Sequence, residues 1–312
     1  TGFAHLFEHL MFGGSVNISD FDKPLQKAGG ESNAFTSNDI TNYYNVIPSY
    51  NLDTALWLES DRMLSLAFTE KSLEVQRQVV VEEFKQRYLN QPYGDVWLKL
   101  RPLAYKNHPY KWATIGKEIK HIEDATMPEV KNFFIKHYNP QNAILCVAGN
   151  FQSEQVYKKI NHWFGGIPEG IKYDRRKEIE KEQQEFRTET IIRKVPAKAF
   201  YYAFKMSDRK SFDYYCADLI SDALGALKSS KLVISLKKQQ RLATEIGAYI
   251  IGSLDEGLLI VCGKLENGVS FKAFDVAFWK EINLFNSNQI EENLLNCLKI
   301  KNQTAREFQE QG

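Results

Sequence analysis

Apolar positions along the chain recur with two periods, and the alternation between them divides the sequence into elements. Phe3-Ala-His-Leu-Phe-Glu-His-Leu-Met-Phe12 is oily on almost every side and predicts a buried helix that stops near Gly13-Gly14, a pair suited to ending a helix. Helical spacing returns over 20–28, 52–67, 73–89, 128–137 and 153–163. Between the first two of these, Asn38-Asp39 marks a turn, and the Thr, Tyr, Val and Ile residues beyond it favour extended chain, so 29–37 and 39–44 read as extended segments. The apolar run 143–148 reads as a strand. Further on, strands are expected at 199–206, 247–253 and 258–263, the last two joined by a turn at Asp255-Glu-Gly257. Helices are expected at 212–227, 271–284 and from 290 onward. Strands mixed irregularly with helices, including a hairpin, favour an α+β fold over a doubly wound parallel sheet.

One stretch fits neither period. Residues 171–190 hold 12 charged side chains in 20 positions, too polar for a core, and read as a connection between a domain at 1–170 and another at 191–312. At 312 residues the chain is long enough for two domains with substantial cores. Net charge is +1 with the two signs interspersed, which argues against a general nucleic-acid partner, and no apolar run reaches the length of a membrane span. The four Cys (146, 216, 262, 297) are too widely spaced for a metal-binding pattern. Cys146 and Cys262 fall in strand-like apolar runs and read as buried, inert thiols.

The candidate chemistry lies in the first helix. His5 and His9 are four residues apart and Glu8 is three from His5, so all three share one helix face. Burying three ionisable groups among apolar neighbours costs several kcal/mol unless they are paired or coordinated. A divalent metal meets that need: two neutral imidazoles bind zinc, and the carboxylate between them can take a proton from water. The order H-x-x-E-H inverts the H-E-x-x-H signature of zinc proteases. Catalytic zinc sites have three protein ligands and an open position, and this motif provides two. The helical segment Leu73-Glu-Val-Gln-Arg-Gln-Val-Val-Val-Glu-Glu-Phe-Lys-Gln-Arg87 carries a double carboxylate, Glu82-Glu83, and helix phase alone does not choose between them.

With H-x-x-E-H followed by Val-Val-Val-Glu-Glu, the chain resembles the pitrilysin-type M16 metallopeptidases, a family that includes insulin-degrading enzyme and mitochondrial processing peptidase. Gly29-Gly-Glu-Ser-Asn-Ala-Phe-Thr-Ser37 with Asp39-Ile-Thr-Asn-Tyr-Tyr44, His108-Pro-Tyr110, Gly116 and Tyr138-Asn-Pro140 follow the family order. The resemblance implies zinc, one ion per chain, held by His5, His9 and Glu83, with Glu8 as general base. It implies a peptide substrate aligned along an edge strand by Asn33, Ala34 and Thr36. It also implies two tandem domains, each a mixed or antiparallel sheet packed with helices. A Glu often found seven residues before the third ligand is Gln76 here. The family's Arg and Tyr that stabilise the oxyanion would fall at Lys237 and Thr244, neither an equivalent donor. A second M16-like half or subunit is therefore expected to supply those donors. The chain opens at Thr1 almost directly into the zinc helix, so it reads as an internal portion of a longer protein, with its first strands lacking and the second domain incomplete. The N-terminus leaves periplasm and cytoplasm both open. A non-catalytic or regulatory subunit is the alternative reading.

Overall fold

Gly2 turns the chain into its first helix with φ +89°, a conformation closed to ordinary side chains here, since a Cβ would lie 2.4 Å from the Ile115 carbonyl oxygen. The helix it starts, α1 (Phe3–Leu10), ends three residues before Gly13. The structure is a computed structural model that describes residues 1–175, 179–288 and 290–311. It divides into two units, Thr1–Gln184 and Glu185–Gly312. Among the described residues no helix is long and apolar enough to cross a membrane.

In the first unit α1 is followed by α2 (Asp22–Lys27), an antiparallel hairpin of β1 (Glu31–Thr36) and β2 (Thr41–Val46), and α3 (Leu52–Leu64). The hairpin closes through the Ser37 N–H donating to the Ile40 carbonyl at 2.8 Å, so the turn lies at Asn38-Asp39 as the sequence predicts. Then come α4 (Glu70–Phe84), α5 (Val96–Ala104), α6 (Lys120–Glu123), α7 (Met127–His137) and α8 (Ser153–Phe164). Thr69 starts α4 with a reciprocal capping box, its side chain accepting from the Ser72 N–H while Ser72 Oγ accepts from the Thr69 N–H. Leu6, Phe7 and Leu10 of α1 are buried against Leu73, Val80, Val81 and Phe84 of α4 and Val130 and Phe134 of α7. Each such side chain, fully buried, contributes about 1.5–3 kcal/mol. Arg77 ties α4 to the end of α6, donating to the carbonyls of Ile122 (3.2 Å) and Ala125 (2.6 Å).

A second anchor is Arg62, 2% exposed, whose guanidinium lies 4.2 Å from the Phe21 ring centre and 4.7 Å from that of Tyr43. It forks onto Glu59, with Nε donating at 2.8 Å, and Glu59 in turn accepts from Asn45 of β2 at 2.6 Å. The aromatic rings and the carboxylate offset part of the hydration this charge gives up, with Nη1 buried and making no hydrogen bond among the described residues.

One expectation fails in this unit, and a second falls with it. Residues 143–148 form no strand ladder among the described residues, and Ile144 is 97% exposed. β-branched and aliphatic composition gives the propensity for a strand, but a strand exists only where a neighbour takes its hydrogen bonds, and none of the described residues does so here. Cys146 is exposed for the same reason, which corrects its reading as a buried thiol. The division between the two units falls inside the charged stretch at 171–190, whose residues 176–178 lie outside the described residues. Glu180 is buried, and its carboxylate accepts from three successive backbone N–H groups, Lys106, Asn107 and His108, at 2.7–2.8 Å. Consecutive amides that converge on a carboxylate make burial of that charge tolerable. Arg175 reaches the hairpin turn, pairing with Asp39 at 2.6 Å.

The second unit is built on a three-stranded antiparallel sheet, β3 (Ala199–Met206), β4 (Ala243–Ile251) and β5 (Gly257–Leu265), in the order β3-β5-β4. Its helices are α9 (Phe212–Ser221), α10 (Phe271–Ser287) and α11 (Glu292–Gln311). Leu258-Leu-Ile-Val261 is buried on both faces because β5 is the central strand. Phe274, Phe278 and Ile282 recur at helical spacing along α10 and pack on the sheet, with Phe278 stacked on Tyr202 at 4.0 Å. The helix expected over 212–227 breaks after Ser221 into a wider turn, Asp222–Ala226. Helices over antiparallel strands in both units make the fold α+β, as expected from the mixed pattern.

Candidate metal centre

The H-x-x-E-H motif occupies most of α1, and the helix turns His5, Glu8 and His9 away from the face that carries Leu6, Phe7 and Leu10 into the core. His5 and His9 lie one turn apart and meet edge to face, ring centres 4.9 Å from each other and the planes 72° apart. α4 packs beside α1 through Val80 and Phe84, which brings Glu83 to the two imidazoles. Glu83 Oε2 lies 3.5 Å from His5 Nε2 and 3.4 Å from His9 Nε2. Those separations are long for an N–H···O bond. They match the edge of a tetrahedron of donors around zinc, about 3.3 Å when each bond is about 2.0–2.1 Å. Among the described residues, His5, His9 and Glu83 form the group of His, Cys, Asp and Glu side chains whose donor atoms converge, all within 4.8 Å of one another.

The electrostatics suit a cation. Burial lowers the His5 pKa and so favours the neutral imidazole that a metal needs. The adjacent His9 imidazole, with His5 and Arg87 behind it, holds the Glu83 carboxyl below its usual range against the opposing effect of burial. The carboxylate is thus ready as an anion. Its other oxygen, Oε1, is paired with Arg87 Nε at 3.2 Å. Arg87 sits in the wide turn Lys85–Leu89 that ends α4, and it steers Oε2 toward the imidazoles. Glu82, the neighbour that helix phase could not exclude, points elsewhere and pairs with Lys85 at 2.6 Å.

Glu8 is half-buried beside this cluster, and its Oε2 accepts a 2.5 Å hydrogen bond from Thr36 Oγ1 of β1. Along β1 the side chains alternate, with Ala34 and Thr36 on the partly buried face and Asn33 on the exposed one. Asn33 Oδ1 accepts from the Ala34 N–H at 2.8 Å. β1 and β2 form a two-stranded sheet, so among the described residues β1 has one open edge. Lys237 and Thr244 are both exposed in the second unit; Thr244 Oγ1 is directed at the Lys264 carbonyl. Sequence reasoning missed Arg87, although its position four residues beyond Glu83 is the spacing that joins opposite charges on a helix face. The Thr36–Glu8 bond has no sequence signal, since it joins a helix to a strand 28 residues away.

Residues 1–117 match the family model described as Insulinase (Peptidase family M16), and residues 124–302 match the model described as Peptidase M16 inactive domain. This chain belongs to the M16 peptidase family. Its similarity to zinc protease PqqE of Helicobacter pylori is 32% identity over 314 residues, 98% of this chain and 69% of that protein. An uncharacterized zinc protease of Bacillus subtilis, YmxG, is 27% identical over 268 residues, 84% of this chain and 63% of that one. The chain therefore spans about two thirds of the length of these curated relatives. Among solved structures, a protease from Helicobacter pylori superposes with a TM-score of 0.89 at 30% identity, covering 99% of this chain and 76% of that one.

Proposed function

We propose that this chain carries the zinc site of a metalloendopeptidase that hydrolyses peptides or unfolded segments. The observation that carries the reading is the approach of His5 Nε2, His9 Nε2 and Glu83 Oε2 at spacings that suit one tetrahedral ion. These three residues would hold a single Zn²⁺. Bound there, zinc supplies a Lewis acid that polarises a carbonyl and acidifies a water molecule. Glu8 acts as general base: it accepts the proton of the attacking water and returns it to the leaving amine. The open edge of β1, at Asn33, Ala34 and Thr36, aligns the substrate as an added strand through main-chain hydrogen bonds, largely indifferent to side-chain identity.

The oxyanion donors come from elsewhere. Lys237 has no planar fork of donors, and Thr244 is short and faces its own sheet. A missing oxyanion donor costs about 100-fold or more in rate, so the reading calls for a second M16-like half, in the same polypeptide or on a partner subunit. The test is Glu8→Gln in the complete protein, which should keep one zinc per chain and abolish peptide hydrolysis. Cleavage that survives this change removes Glu8 from its role.

One observation favours a second reading. Most of the chain beyond residue 124 matches the family's inactive-domain model, as a non-catalytic subunit would. Metal analysis separates the two, because a scaffold would purify without stoichiometric zinc.

A further inference from the structure

Thr36 does more than lie on an edge strand. Its hydroxyl has a single proton and two neighbours that could accept it: Glu8 Oε2 at 2.5 Å and Thr41 Oγ1 at 3.4 Å. Distance and charge both select the carboxylate. Thr41, directly across the hairpin, is the register partner of Thr36, and it makes its own side-chain hydrogen bond with Tyr138. Tyr138 in turn bonds Tyr43 through their hydroxyls at 2.8 Å, and the Tyr43 ring packs on the Arg62 guanidinium. The contact to Glu8 is therefore backed by a row of partly buried groups reaching the Arg62 anchor.

From this geometry we infer that Thr36 is a positioning residue for Glu8, tying down Oε2 and leaving Oε1 as the oxygen that exchanges the proton. This rests on the zinc-peptidase reading of the site. A carboxylate at the end of two methylenes otherwise samples several rotamers, each aiming Oε1 differently. The tie also couples the substrate edge to the chemistry, because the strand that would register a peptide is the strand that holds the base. Thr36→Val suits the test, since it keeps the β-branched shape that the strand prefers and deletes the hydroxyl alone.

The experiment is a double-mutant cycle on the zinc-loaded chain, read by the affinity of a peptidyl hydroxamate, whose hydroxyl proton is taken up by a neighbouring base. Thr36→Val should retain zinc and weaken hydroxamate binding by about tenfold. The same change should have no effect in a Glu8→Ala background, and Thr36→Ser should bind within about twofold of the parent. In turnover by the complete protein, Thr36→Val should lower kcat with KM held, because ground-state contacts of the strand survive. A loss of equal size with and without Glu8, or no loss in either, overturns the positioning role while leaving the zinc site intact. A parent chain that purifies without zinc, or Glu8→Ala binding hydroxamate as tightly as the parent, brings down the peptidase reading itself.

Discussion

Replacing Glu83 by Gln is the sharpest probe of the metal centre, because the neighbouring position provides its own control. Glu83 Oε2 is 3.5 and 3.4 Å from the two imidazole nitrogens, whereas Glu82 pairs with Lys85 on the helix surface. Structural zinc sites bind with an apparent free energy of about 10–16 kcal/mol shared among four donors, or about 2.5–4 kcal/mol each. A carboxamide keeps the shape but loses the charge, so Glu83→Gln should weaken zinc by roughly 100- to 1000-fold. Glu82→Gln should change it by less than about threefold, the loss of an exposed pair. The assay is competition for zinc against a chromophoric chelator near neutral pH, where burial keeps His5 in its neutral, metal-binding form. Equal losses at both positions, or a Glu83→Gln loss below about threefold, would refute the assignment of the third ligand.

Arg87→Met frees Glu83 Oε1 and should reduce zinc affinity by about tenfold, the low end for an outer partner because Arg87 is itself 67% exposed; the same chelator titration measures it. Arg62→Ala leaves the Glu59 carboxylate unpaired and opens a gap among Phe12, Phe21 and Tyr43, so urea denaturation should show the first unit destabilised by about 3–5 kcal/mol, and a loss below about 1 kcal/mol would contradict the anchor. Glu180→Ala removes one acceptor from three backbone amides, and hydrogen exchange at 106–108 should quicken by roughly 10- to 100-fold while amides of α1 hold steady. Gly263→Ala in β5 would put a Cβ 1.9 Å from the Glu245 carbonyl oxygen on the neighbouring strand; overpacking of this kind costs about 1–3 kcal/mol, seen as a lower denaturation midpoint of the second unit.

His5, Glu8 and His9 were legible from sequence because their relation is local. Once an apolar face commits α1 to a helix, i, i+3 and i+4 spacing aligns the three side chains whatever else the chain does. The same locality explains why the hairpin turn falls at Asn38-Asp39 as expected. Tertiary structure decided everything that depends on a partner distant in sequence. Glu83 rather than Glu82 faces the imidazoles because Val80 and Phe84 set the rotation of α4 against α1, and neighbouring carboxylates look alike until that packing exists. Residues 143–148 have the composition of a strand yet no ladder among the described residues, since pairing is a property of two segments and not of one. Glu180 sits in a stretch too charged for a core and is buried all the same, because three amides from residues more than 70 positions away converge on it. Local periodicity is written in one segment of chain; a hydrogen bond or a ligand shared across the fold is written in two, and only folding brings them together.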